Sequence, residues 1–157
     1  MKASIPEIRK ELKYLSKDEL ESLCLKLAKY KVINKELIAY QLFESSDEDS
    51  FIETIKEDIS AQFKEINRNH YYYIKKSARK ILRYTKKYIQ FSKQKETEIA
   101  LLMHFLNCMK HMSPSYTRNS VLSGIYDRER LNLKKCISSV HEDLQLDFRN
   151  DFERLSL

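Results

Sequence analysis

Three observations predict an all-α fold for this chain: one glycine in 157 residues, helix-start signals repeated through its first third, and apolar residues at helical spacing from end to end. Gly124 is the single glycine, and Pro6 and Pro114 are the two prolines. Tight hairpins need residues at positive φ, and phosphate-cradling loops need glycine so that backbone can approach the ligand. One glycine therefore disfavours a hairpin-rich β fold, a P-loop and a dinucleotide-binding fingerprint.

Ser4 with Glu7, Ser16 with Glu19 and Ser50 with Glu53 each have capping-box spacing, in which serine and glutamate satisfy each other's orphan backbone N–H groups. Behind the first two, Ile5, Ile8, Leu12 and Leu15 form one apolar stripe and Leu20, Leu23, Leu27 and Tyr30 a second. Leu37, Tyr40, Leu42 and Phe43 predict a third helix. Ile52, Ile55, Ile59, Phe63 and Ile66 predict a fourth, with the polar run 44–50 as the loop before it.

A fifth helix is expected over about 69–91 and a sixth over about 96–112. The run 113–118 holds Pro114 and reads as a break, because proline fits a helix's first turn but not its interior. Leu122, Ile125, Tyr126, Leu133, Ile137 and Val140 mark a long seventh helix, disturbed near Gly124. A terminal helix buries Leu144, Phe148, Phe152 and Leu155. Seven or eight helices result, in a single domain over 1–157, either a HEAT-like stack of helical hairpins or a compact helical bundle. Short joints and similar helix lengths favour the stack.

The residues after Met1 form no export signal, and the longest uncharged apolar run, 99–109, is far short of the roughly 20 residues of a membrane span. A cytoplasmic protein is expected, with Cys24, Cys108 and Cys136 as reduced core thiols.

Charge is distributed unevenly. Ten of the 29 basic residues lie between Arg68 and Lys95 with no acid among them, leaving 19 against 23 acidic residues elsewhere. Residues 44–58 hold seven acids and one lysine. On a helical wheel of residues 73–89, Lys75, Lys76, Arg79, Lys80, Arg83, Lys86 and Lys87 fall within an arc of about 140°. Ile74, Ala78, Ile81, Leu82, Thr85, Tyr88 and Ile89 fill the other side, and Tyr71 to Tyr73 are expected to pack at the helix start. The basic arc is a solvated face or a surface for a phosphate backbone, DNA or RNA, an acidic protein or an anionic lipid.

His104, Cys108 and His111 share one helix face, but no CxxC or HExxH accompanies them, so they read as a half-buried polar seam and not as zinc ligands. Asp143 with Asp147, and Glu142 with Asp151, fit the positive end of a helix dipole as well as they fit paired catalytic carboxylates. No nucleophile motif is present, so no enzyme activity, cofactor or metal is expected.

Residues Ile5 to Leu27 resemble superficially the helix-turn-helix of SAP-type DNA-binding modules, but they lack its glycine-containing turn, and no basic cluster marks the second helix. "IRKELKYLSKDELESLCLKLAK" near the start and "SVHEDLQLDF" near the end resemble an uncharacterised all-helical family of small bacterial proteins. That resemblance implies a helical fold, with no activity and no functional residues to carry over. The expected role is a non-enzymatic helical scaffold for protein–protein interaction, a homodimer included. The alternative is a nucleic-acid-associated protein that uses the basic face of the helix at 69–91.

Overall fold

The capping boxes at Ser4 and Ser16 start the first two helices, α1 (Ile5–Leu12) and α2 (Lys17–Tyr30), of the computed structural model, which describes residues 2–155. In α1 the Glu7 N–H donates to Ser4 Oγ at 3.4 Å, and the Glu7 carboxylate accepts from the Ser4 N–H at 2.7 Å. Ser16 and Glu19 repeat the exchange at 3.2 and 2.7 Å. These backbone donors hold both carboxyls below their ordinary pKa.

A third helix, α3 (Val32–Ala39), runs into a π-helical turn at Tyr40–Glu44. The third expected box does not form. Helix α4 (Glu48–Lys64) begins earlier, capped by Asp47, which accepts from the Ser50 N–H at 3.2 Å and from its hydroxyl at 2.7 Å. Glu48 and Asp49 in the first turn favour that start through the helix dipole. Ser50 is therefore inside the helix, and Glu53 pairs with Lys56 at 2.8 Å.

The described residues fall into two compact units, the first ending at Glu44 and the second beginning at Ser45. In the first, α3 packs on α2, and the Asn34 side-chain amide donates to the Leu27 carbonyl at 2.9 Å. Tyr40 is the only buried residue described there. The stripes expected to face a core are largely open: Ile5, Ile8, Leu15, Leu27 and Tyr30 are exposed, and Leu12, Leu20 and Leu23 are half-buried. Helices of 8, 14 and 8 residues present too little surface to enclose one another.

The second unit contains α4, α5 (Tyr71–Ser92), α6 (Lys95–His111), a 3₁₀ turn at Tyr116–Arg118, α7 (Ser120–Ser138) and α8 (Glu142–Arg154). Helix α6 touches α4, α5 and α7, whereas α8 packs on α7. Its buried residues, Thr97, Ile99, Leu101, Leu102, Phe105, Leu106 and Met109, cover an arc of about 200° around the helix. A buried arc that wide needs more than one neighbour, and α4, α5 and α7 all pack on it, as a simple stack of two-helix hairpins would not arrange. The second unit is accordingly a helical bundle about α6.

Polar contacts fix the bundle's ends. Glu48, at the start of α4, accepts hydrogen bonds from Ser92 at the end of α5 and from buried Thr97 at the start of α6. Tyr126 donates to the Leu155 carbonyl at 2.6 Å, and the Arg130 guanidinium lies 5.0 Å from the Phe152 ring centre. Of the four residues expected to bury α8, only Leu155 is fully covered; Leu144, Phe148 and Phe152 are half-buried.

Helix α7 continues unbroken through Gly124, where an added Cβ would meet nothing within 4 Å. Among the described residues the left-handed one is Lys93, at φ 57°, which closes α5. All three cysteines are free; Cys136 is buried and Cys108 half-buried, but Cys24 is exposed because α2 has no core to face. Among the described residues no helix is long and apolar enough to cross a membrane.

Phe105→Ala is expected to lower the unfolding free energy by about 3–5 kcal/mol, since Phe105 is fully buried and its ring lies 5.6 Å from that of Phe63. Amide exchange followed by mass spectrometry should find α6 slowest and residues 2–44 well ahead of it. Equal protection across both units would contradict this account of the first one.

Candidate functional site

Helix α5 carries the candidate site on its outward side and core on its inward side. Ile74, Ala78, Ile81, Leu82, Thr85 and Ile89 are buried, and the Thr85 hydroxyl is satisfied by the Ile81 carbonyl at 2.9 Å. Lys76, Arg79, Lys80 and Arg83 are exposed on the opposite face, with Lys75 half-buried at its edge. None of these five pairs with a carboxylate among the described residues. Glu65 and Lys80 line a common small hollow.

The last two cations of the predicted arc have other engagements. Lys86 meets the fully buried Glu129 carboxylate of α7 at 2.8 Å, and Arg128 and Asn132 also donate to it, at 3.4 and 3.2 Å. Lys87 lies over the rings of Tyr84 and Tyr88, at 5.3 and 4.5 Å. Tyr84 donates to Asp58 of α4, and burial with that hydrogen bond pushes its pKa far up.

At the start of α5, Tyr71 is half-buried and donates to the Ser115 carbonyl at 3.2 Å. The expectation of a packed aromatic start fails for the next two residues: Tyr72 and Tyr73 are 65% and 43% exposed, with ring centres 5.3 Å apart. Both lie before or at the first residue of the wheel, and their helical positions carry them outward. Extended by one residue, the wheel places Tyr72 in the middle of the basic arc, one turn before Lys76 and two before Arg79.

The seam on α6 is only partly assembled. Ser60 of α4 hydrogen-bonds His104 Nε2 at 2.8 Å, and the Cys108 sulfur lies 3.7 Å from the same nitrogen. His111 is exposed and instead donates from Nδ1 to the Asn107 carbonyl at 2.9 Å. Burial raises the Cys108 pKa, so the thiol stays protonated and a poor nucleophile. Among the described residues no three His, Cys, Asp or Glu side chains are grouped to hold a metal ion.

The carboxylates of α8 do not form a pair in a cleft. Glu142 and Asp143 occupy its exposed first turn, Asp147 is exposed, and Asp151 is 3.4 Å from Arg154. The group that sequence reasoning missed is Glu129. Its place on the apolar stripe of α7, between Ile125 and Leu133, was the available signal, because a glutamate at a core position needs a partner. A cavity of about 380 Å³ opens beside it, lined also by Lys95, Glu98, Lys135 and Cys136. Its carboxylates already have cations, Lys86 on Glu129 and Lys95 on Glu98 at 3.1 Å. Burial and the Glu98 carboxylate push the Cys136 thiol up to about 11.

No family model matches the chain, and neither do the curated proteins or the solved structures.

Two outcomes test the buried groups. Lys86→Met leaves Glu129 without its closest cation and is expected to cost about 1–3 kcal/mol in urea unfolding. Adding Glu129→Leu should recover most of that loss, because the buried charge goes with its partner; a double variant no better than the single one would contradict it. Burial, reinforced by the Lys56 charge, lowers the pKa of His104. The unfolded chain then binds more protons between the lowered folded value and the unfolded one, so that part of the stability is complete above the ordinary histidine range and lost on acidification through it. The melting temperature should fall less in His104→Gln than in the parent between about pH 7.5 and about pH 5, and equal falls would remove His104 as a cause.

Proposed function

We propose that this chain is a non-enzymatic interaction module whose N-terminal unit docks a partner protein through uncovered apolar side chains. The observation that carries the reading is the imbalance in that unit. Ile5, Tyr14, Leu25, Tyr30, Val32, Leu42 and Phe43 are all more than half exposed, and among the described residues of the unit Tyr40 alone is buried. Single exposed apolar residues are ordinary, but this density in so short a segment marks an association surface. Full burial of each such side chain returns about 1.5–3 kcal/mol, so covering a few of them suffices for a specific complex.

The occupant these side chains suit is another apolar protein surface, and a second copy of the chain supplies one. Sedimentation of the parent protein at about 10–100 μM should show self-association. The variant carrying Ile5→Ser, Leu42→Ser and Phe43→Ser should remain monomeric with unchanged helical circular dichroism. A parent protein that is monomeric throughout, and that fails to bind a dye specific for exposed apolar surface, would refute the docking surface.

A second reading has its own support, the five cations on α5 that meet no carboxylate among the described residues. They suit a phosphate backbone, which long basic side chains bind largely by displacing counterions. Engaging four or five phosphates of a single strand would weaken affinity about 50- to 130-fold between about 50 and about 200 mM salt.

A further inference from the structure

We infer that the outward face of α5 is suited to single-stranded nucleic acid in preference to duplex, with Tyr72 as a base-stacking platform inside the cationic stripe; this rests on the phosphate-binding reading of that face. Successive positions on a helix differ by about 100°, so Tyr72, Lys76, Arg79 and Arg83 follow one another along a single line. With about 1.5 Å of rise per residue, that line is about 16 Å long. An exposed ring thus begins a row of cations that is free of acidic side chains along α5 itself.

The ring is also held in place. Tyr73 packs edge-on against it at 5.3 Å, and the exposed His70 ring lies 6.2 Å from Tyr73. Tyr71, on the inward side, anchors the first turn through its bond to Ser115. A ring already oriented loses little freedom when a base stacks on it. That first turn contains no acidic residue, and His70 provides no side-chain cap. The positive end of the helix dipole therefore adds to the side-chain charge beside the platform.

The preference for a single strand follows from what a ring can reach. Bases in a duplex are already stacked on both faces and paired at their edges, leaving only the backbone to the cations. In a single strand the base faces are free, and stacking on an aromatic side chain adds to the phosphate contacts without requiring a particular sequence.

The test uses the full chain and fluorescein-labelled oligonucleotides of one length, single-stranded DNA, single-stranded RNA and duplex DNA, followed by anisotropy at about 50 mM salt. The parent protein should bind the single strands more tightly than the duplex. Tyr72→Ala should weaken single-strand binding about 5- to 150-fold while leaving duplex binding unchanged, and Tyr72→Phe should restore it. Arg79→Glu with Arg83→Glu should abolish both. Both positions are exposed, so helical circular dichroism should be the same in every variant. Equal affinity for single strand and duplex, unaffected by Tyr72→Ala, would overturn the stacking platform and leave phosphate binding standing. Absence of binding to any of the probes would overturn both.

Discussion

The second unit depends on a helix whose apolar face is too wide for a single neighbour to cover. Along α6, Thr97, Ile99, Leu101, Leu102, Phe105, Leu106 and Met109 form a buried arc of about 200° that needs cover from several helices, while exposed Glu96, Asn107 and His111 occupy the remaining side. Helices α4, α5 and α7 supply that cover, and each therefore needs only one apolar stripe of its own. The polar residues that α6 does carry meet partners in the wall around it: Thr97 reaches Glu48, and His104 reaches Ser60. Removing either partner would strand a polar group beside the driest part of the molecule.

Helix α5 shows how that requirement makes a surface available. Its inward stripe is fixed by contact with the bundle, and the 3.6-residue period then sends Lys76, Arg79, Lys80 and Arg83 outward. Charge that would repel itself in a flexible segment is held in a rigid row, with spacing set by the helix. The N-terminal unit has no such central element, so its amphipathic helices fold locally while their apolar sides stay open. The two surfaces proposed to act have opposite origins: one is displayed by a packed core, the other is left over from the absence of one.

Local signals were the most legible part of the sequence. Ser4 with Glu7 and Ser16 with Glu19 marked helix starts because a capping box is built entirely from neighbours. Ser50 with Glu53 carried the same letters and misled, since Asp47 offered the backbone a cap three residues earlier. The stripe Ile5, Ile8, Leu12, Leu15 revealed a helix but not what would cover it, because periodicity records a face and not its neighbour. The same limit explains exposed Cys24 and buried Glu129. The row from Lys75 to Arg83 could be drawn from spacing alone, whereas the withdrawal of Lys86 toward α7 depended on a residue 43 positions away.

The handling of backbone handedness in this chain has a consequence for how much change it can absorb. Among the described residues the one position with left-handed backbone, at the joint after α5, is filled by Lys93, although glycine adopts that conformation with less strain. The one glycine stands within α7, where a methyl group would meet open space. Each residue is in the type of position the other would suit better, and neither is needed where it is for packing. The chain therefore has unused thermal headroom at two points outside the basic row of α5. Realised through Lys93→Gly and Gly124→Ala, that headroom would let the fold tolerate destabilising replacements elsewhere, including at the surfaces through which it would acquire new partners.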